Sequence, residues 1–212
     1  RAVLNGRGCP FRCSFCQGIG RYYQRDPHNI IEEAETVVKM RGFKTIDLID
    51  GIVFLPSKKP VELAELWRQS PILKDVKVSG TAKFGNKMLK AEVFEAWSGM
   101  LDYIFLSVEA GSDRMLSRLN KIFTRDEIVD GLRFLRPYKI PAVLTTAVVG
   151  FPFETVADLE DLETMLRFVA LEMRAMGTEP RISSGHLIPY FGTAVGAEYR
   201  VPHYNPANPK NF

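Results

Sequence analysis

The sequence predicts an α/β fold, a partial parallel (β/α)6 barrel. Three observations carry this expectation. Six short apolar or β-branched runs recur along the 212 residues. Amphipathic segments with legible helix ends stand between them. The unusual residues collect just after the runs, where parallel α/β folds carry their chemistry.

The six strands are expected over residues 2–5 (AVLN), 45–50 (TIDLID), 76–80 (VKVSG), 102–108 (DYIFLSV), 142–149 (AVLTTAVV) and 182–188 (ISSGHLI). The first helix is predicted from a capping box, Asn29 to Glu32, with Ile30, Ile31, Ala34, Val37 and Val38 on one face and Gly42 as its stop. Pro60 opens a helix through Leu63, Leu66 and Trp67. Thr124 to Glu127 is a second capping box, leading into Ile128, Leu132 and Leu135 before Pro137. Thr155 to Asp158 starts the longest helix, running to about Met176, whose Met and Phe stripe is simplest as core. Six such units fall short of the eight that close a barrel, and a doubly wound sheet is the structural alternative. Residues 1–196 are expected to form the barrel domain. Residues 197–212, rich in Pro and Asn, read as a connecting segment.

Composition narrows the function classes. Hydrophobic residues make up 46% and charged residues 25%, as in soluble globular proteins. No apolar run approaches the roughly 20 residues that cross a bilayer, and no secretory leader is visible. A net charge of +3 with scattered basic residues is too weak to argue for nucleic acid. The chain opens on Arg1 in a strand-like segment, so a longer parent protein is expected.

All three cysteines, Cys9, Cys13 and Cys16, lie in GCPFRCSFCQ. An odd number cannot close a disulfide framework, and bridges across two or three residues would be strained. A cytosolic, metal-holding loop is the better reading. Structural zinc would need a fourth ligand, His28 or a distant residue. Three thiolates could instead hold three irons of a cubane and leave the fourth open as a ligand-binding position. The other strand ends carry Asp50-Gly51, Lys83, Glu109-Ala-Gly-Ser112, Gly150-Phe-Pro-Phe-Glu154 and Pro189-Tyr-Phe-Gly192. Six such coincidences on one rim describe a site.

Cys9-x3-Cys13-x2-Cys16, with Phe15 before the last cysteine, resembles the signature of radical S-adenosylmethionine (radical SAM) enzymes. The likeness spans residues 3–196. SVEAGSDRML followed by Lys121, GFPFET, HLIPYFGT and IDLIDG are similar to strand-end motifs of the subgroup associated with cobalamin-binding domains. Ala110, Gly51 and Phe153 depart from that subgroup's Ser, acid and Gly. The resemblance implies a radical SAM (TIM-like) barrel in which Cys9, Cys13 and Cys16 ligate a 4Fe-4S cluster. S-adenosylmethionine would chelate its open iron and split to a 5′-deoxyadenosyl radical. Phe15 would pack near the adenine, and the backbone of Ile49, Asp50 and Gly51 would meet the methionyl amine. Glu109 and Ser112 would serve the ribose or amino group, Val148 and Gly150 would lie along the adenine, and Leu187 to Pro189 would close the far side. A small-molecule or peptide substrate, an external electron donor such as flavodoxin or ferredoxin, and a cytoplasmic setting are implied. Cobalamin would come only through a domain outside this chain, because Asp26-Pro-His28 begins a D-x-H-x-x-G pattern but Ile31 replaces its Gly. The overall reaction would be methylation, ring formation or another rearrangement.

Plainer roles stand beside these. Glu109 could pair with Arg114 or cap the next helix, Asp50 could be a turn residue, and Gly150-Phe-Pro could be ordinary turn chemistry. Lys83 reads as solvated, the alternative being contact with the cofactor carboxylate, and His186 as a core residue more than a proton donor; Arg12 could offset cluster charge or be plain surface. The alternative functions are a methylthiotransferase-like modifier of tRNA or protein and a non-catalytic, zinc-stabilised binding module.

Overall fold

A computed structural model describes residues 1–18, 20–85 and 87–199. The chain runs β1 (Ala2–Leu4), β2 (Gly6–Arg7), β3 (Tyr23–Gln24), α1 (Pro27–Arg41), β4 (Thr45–Ile49), α2 (Lys58–Gln69), β5 (Lys77–Thr81) and α3 (Ala91–Ala96). It continues β6 (Leu101–Phe105), α4 (Asp113–Arg118), α5 (Arg125–Leu135), β7 (Ala142–Val149), α6 (Val156–Ala175), β8 (Glu179–His186) and α7 (Ala194–Glu198). Six strands form one sheet in the order β1-β4-β5-β6-β7-β8, every pair parallel. Strand order follows chain order without reversal, which is the wiring of a barrel and not of a doubly wound sheet.

Alternation along the strands separates two faces. In β4, Ile46 and Leu48 are buried, while Thr45 and Asp47 are half-buried and Ile49 is exposed. The buried set joins Ile30 and Ala34 of α1 and Leu63, Ala64 and Trp67 of α2 in one core on the convex side. Trp67 and Trp97 anchor it, their indole N–H groups donating to the carbonyls of Val76 (3.0 Å) and Pro60 (2.9 Å). Each such buried side chain contributes about 1.5–3 kcal/mol. The concave face keeps polar and partly exposed residues, so the barrel interior is available to a ligand.

Several boundaries differ from the sequence expectation. Helix α1 starts at Pro27, because the Asp26 carboxylate accepts the His28 N–H and Pro27 fits the first turn; the Asn29 to Glu32 box is not its cap. Helix α2 starts at Lys58, with Pro60 inside its first turn. Strand β6 ends at Phe105, and the chain rejoins β7 through a single bridge between Glu109 and Ala147. Strand β8 starts at Glu179, and its residues are exposed except half-buried Pro180. His186 is therefore not a core residue, and β8 stays largely exposed where α6 packs beside it. The ribbon of β2 and β3 and the short helices α3, α4 and α7 leave too little periodicity to read from sequence. The expected connecting segment lies, beyond Tyr199, outside the described residues.

Candidate active site

The cysteine loop leaves the sheet after β1 and is held from two other parts of the chain. Ser14 N donates to Leu119 O at 3.0 Å, Asn120 Nδ2 donates to Arg12 O at 2.6 Å, and Val195 N donates to Ser14 O at 3.0 Å. Cys16 N closes a turn on Cys13 O at 3.1 Å. These bonds orient three free thiols toward the barrel rim, Cys13 buried and Cys9 and Cys16 half-buried. Exposed Arg12 gives its carbonyl to this scaffold.

The thiols line a cavity of about 230 Å³ together with Phe15, Gly51, Lys83, Glu109 and Lys121, and Thr81, Ser107 and Phe123 are among its other walls. Gly51 is where a side chain could not stand, because a Cβ there would lie 2.8 Å from Gly8 O and 3.2 Å from Cys9 Cβ. Asp50, beside it, accepts from Asn5 Nδ2 (3.1 Å), Tyr22 Oη (3.1 Å) and Gly51 N (2.5 Å). Burial raises the Asp50 pKa against these bonds. Burial, then the Asp50 charge, raises that of Tyr22, which stays a proton donor.

Two lysines make this end of the barrel electropositive. Lys83 Nζ lies 3.8 Å from Cys13 Sγ and 4.3 Å from the Phe11 ring centroid. It is half-buried over the cysteine loop and not a solvated surface residue; burial, then the charge of Lys121, lowers its pKa. Burial raises the Cys9 thiol, opposed chiefly by a backbone hydrogen bond from Phe11 and by Lys83. Lys121 Nζ is 2.9 Å from Glu109 Oε1, with side-chain exposures of 5% and 11%, and 5.1 Å from the Phe15 ring centroid. Glu109 is thus paired with Lys121, and Arg114 instead pairs with Asp158. Glu109 sits at φ 65, a left-handed conformation costly for a residue with a side chain and typical of functional strand ends. Phe15 meets Phe151 edge-on at 5.6 Å, and Phe151 stacks on Phe153.

The remaining sequence candidates lie apart from this cavity. Ser112 is buried: its hydroxyl accepts Met115 N to cap α4 and donates to Asp158 at 3.0 Å. Val148, half-buried, and Leu187 flank the ends of β7 and β8, where Leu187 N donates to Val149 O at 2.7 Å. Gly150 turns at φ 91 between Glu154, which accepts its N–H at 2.6 Å, and Tyr199, which donates to its carbonyl at 2.6 Å. Half-buried Pro189 follows. Ile49 faces inward one step below Gly51, toward a second cavity. Sequence reading missed Thr81, Ser107 and Phe123, whose residue types carry no chemical signal of their own.

The family model of the Radical SAM superfamily matches residues 4–166. A methyltransferase of Pyrococcus horikoshii, itself uncharacterised, is 25% identical over 173 residues, covering 78% of this chain and 36% of that protein. The tRNA-2-methylthio-N(6)-dimethylallyladenosine synthase of Oceanobacillus iheyensis is 29% identical over 177 residues, covering 78% of this chain and 34% of its own length. The chain thus spans little more than a third of these relatives. Among solved structures, the radical S-adenosylmethionine methyltransferase TsrM of Kitasatospora setae aligns with a TM-score of 0.71 at 19% identity, over 93% of this chain and 38% of that one. The cobalamin-dependent S-adenosylmethionine radical enzyme OxsB aligns with a TM-score of 0.75 at 15% identity, over 94% and 35%. These two likenesses concern the fold. With the family match across the cysteine loop and strands β4, β5, β6 and β7, the chain belongs to the Radical SAM superfamily.

Proposed function

We propose that this chain is the catalytic core of a larger radical SAM enzyme, with a 4Fe-4S cluster on Cys9, Cys13 and Cys16 and S-adenosylmethionine beside it. The observation that carries this reading is a single cavity shared by three free thiols, two lysines and the backbone of Gly51 at the C-terminal strand ends. The donor set fits the cluster. Thiolates suit iron, and Lys83 and Lys121 offset the negative charge that three thiolates and sulfides bring. Three thiolates leave a zinc ion one ligand short of its usual tetrahedral set, whereas a cubane takes each thiolate on a separate iron and keeps its fourth iron open, which favours the cluster over structural zinc.

When bound, the cluster supplies one electron to the sulfonium of S-adenosylmethionine. The residues of the chain bind and orient. Phe15, braced by Phe151 and Lys121, offers an aromatic wall to a purine. The Ile49 to Gly51 backbone offers carbonyls to an amine, with the strand end fixed by the hydrogen bonds of Asp50. Glu109 keeps its second carboxylate oxygen for a hydroxyl or amine, while Lys121 holds the first. Ser112 has both its proton and one lone pair committed, so Glu109 is the better ribose or amine partner. Val148, Gly150, Leu187 and Pro189 serve as the outer wall beyond the cavity.

For the overall reaction, methyl transfer or a rearrangement that uses cobalamin from another domain is our first reading. A methylthiotransferase-like modification is the second, and the kinship with tRNA methylthio synthases favours it. No helix among the described residues is long and apolar enough to cross a membrane. A cytoplasmic setting and an external electron donor such as flavodoxin or ferredoxin follow from the proposed chemistry.

Anaerobic reconstitution tests the reading. About four irons per chain are expected, and dithionite with S-adenosylmethionine should yield 5′-deoxyadenosine. Cys13→Ala should abolish both. A colourless chain holding one zinc, or a Cys13→Ala variant that keeps its activity, overturns the proposal.

A further inference from the structure

Below the rim, the concave face holds a second cavity, also of about 230 Å³. Strand register builds its floor. Asp47 of β4 lies opposite Ser79 of β5, and Ser79 lies opposite Tyr103 of β6. The ladder of β5 and β6 slips between Val78 and Ser79: Val78 pairs with Leu101, but Ser79 pairs with Tyr103. That slip skips Asp102 and turns Tyr103 inward, the re-aiming a bulge provides. Two residues further along the strands, Ile49, Thr81, Phe105 and Leu144 form a more apolar row. At 3.3 Å per residue the two rows stand about 7 Å apart, with the cysteine cavity above. Ile49 is 47% exposed inside the barrel, an apolar surface left without a partner among the described residues.

The polar row is poised to accept hydrogen bonds. Tyr103 Oη donates to Asp47 Oδ1 at 3.1 Å, which leaves the other carboxylate oxygen and a phenol lone pair free. Ser79 is 1% exposed and interacts with the Tyr103 phenol beside it, but no hydrogen bond of good geometry satisfies its Oγ. A buried hydroxyl without a well-formed hydrogen bond is destabilising, and a ligand that supplies one recovers that loss. The other carboxylate of this cavity, Asp50, is committed to Asn5, Tyr22 and Gly51. No lysine or arginine lines it. Arg181 lies 5.8 Å from the Tyr103 ring centroid and is paired with Glu179 at 2.9 Å.

We propose that Asp47, Ser79 and Tyr103 bind a primary ammonium group, and that the substrate is an amine whose carbon body lies on the Ile49, Phe105 and Leu144 row. Assigning this ligand as the substrate rests on the radical SAM reading above; the amine site itself does not. An ammonium carries three donors and no acceptor, matching the free carboxylate oxygen, the serine hydroxyl and the phenol lone pair. A carboxylate would meet Asp47 with like charge, and a neutral alcohol would forgo the charge-assisted bond.

The test uses phenethylammonium, 2-phenylethanol and 3-phenylpropionate as probes, titrated into the chain without iron and followed by NMR. Phenethylammonium should shift the Ser79 and Tyr103 resonances and bind at least about tenfold more tightly than the other two, as one charge-assisted hydrogen bond provides. Asp47→Asn should weaken it about tenfold and Ser79→Ala several-fold, with 2-phenylethanol unchanged in Asp47→Asn. Equal binding of the three probes overturns the proposal, as does unchanged amine affinity in both variants or no shift at these residues. Should Asp47→Asn fail to fold, the Ser79→Ala titration and the probe comparison on the native chain decide alone. Amine binding without 5′-deoxyadenosine formation would sink the radical SAM activity and leave this site standing. The reverse result would remove only this site.

Discussion

Replacing Lys121 with methionine keeps the bulk of the side chain and deletes its charge. Glu109 would then be a carboxylate with 11% of its side chain exposed, stripped of a partner that sat 2.9 Å away and was itself only 5% exposed. An exposed pair would be worth at most about 1 kcal/mol, but stranding one partner of a buried pair costs about 3–5 kcal/mol. Lys83 remains on the same cavity wall and softens the loss, so about 3 kcal/mol is the expected figure. The lost contact with the Phe15 ring, 5.1 Å away, adds about 0.5–1 kcal/mol. The double variant Glu109→Gln with Lys121→Met leaves no unpaired charge and should return to within about 1 kcal/mol of the native chain. Urea unfolding under anaerobic conditions measures all four corners of the cycle, with an unchanged denaturant slope showing that the same transition is compared. A loss below about 1 kcal/mol in Lys121→Met, or a strictly additive double variant, would refute the claim that this pair is a buried, coupled unit.

Asp158→Ala should cost about 2 kcal/mol in the same assay, because it removes the capping-box partner of α6 and the acceptor shared by Ser112 and Arg114. The Arg114 guanidinium, more than any other group, holds the Asp158 pKa below the ordinary carboxylate range. Its stabilisation is therefore complete above that range and lost as pH falls through it and below. Native and variant stabilities should converge in strong acid and differ fully at neutral pH. Gly51→Val should at least halve the iron bound on reconstitution, because its Cβ would press on Gly8 O and Cys9 within the cysteine loop; normal iron content with a normal fold would show that the loop yields there.

Much of this site is legible along the chain. The spacing of Cys9, Cys13 and Cys16 is local chemistry, and local chemistry survives in sequence. The capping boxes at Thr124 and Thr155 are equally local and stand where expected. The α1 start was harder, since Asp26-Pro27 and Asn29 to Glu32 both offer plausible caps and only the completed turn chooses between them.

The sequence by itself determined the thiol loop and the six apolar runs, which depend on residues within a few positions of one another, and through the resemblance of its motifs it pointed to the family. The order of the strands, a barrel and not a doubly wound sheet, was decided by their pairing. Tertiary structure alone decided that Lys121 and not Arg114 answers Glu109, that Lys83 sits over Cys13, and that β8 is exposed. It alone set Asp47, Ser79 and Tyr103 in one row, through a register slip that no pattern of residue types announces. Charges and hydroxyls on neighbouring strands meet according to register and curvature, and both are fixed only when the whole sheet closes its core.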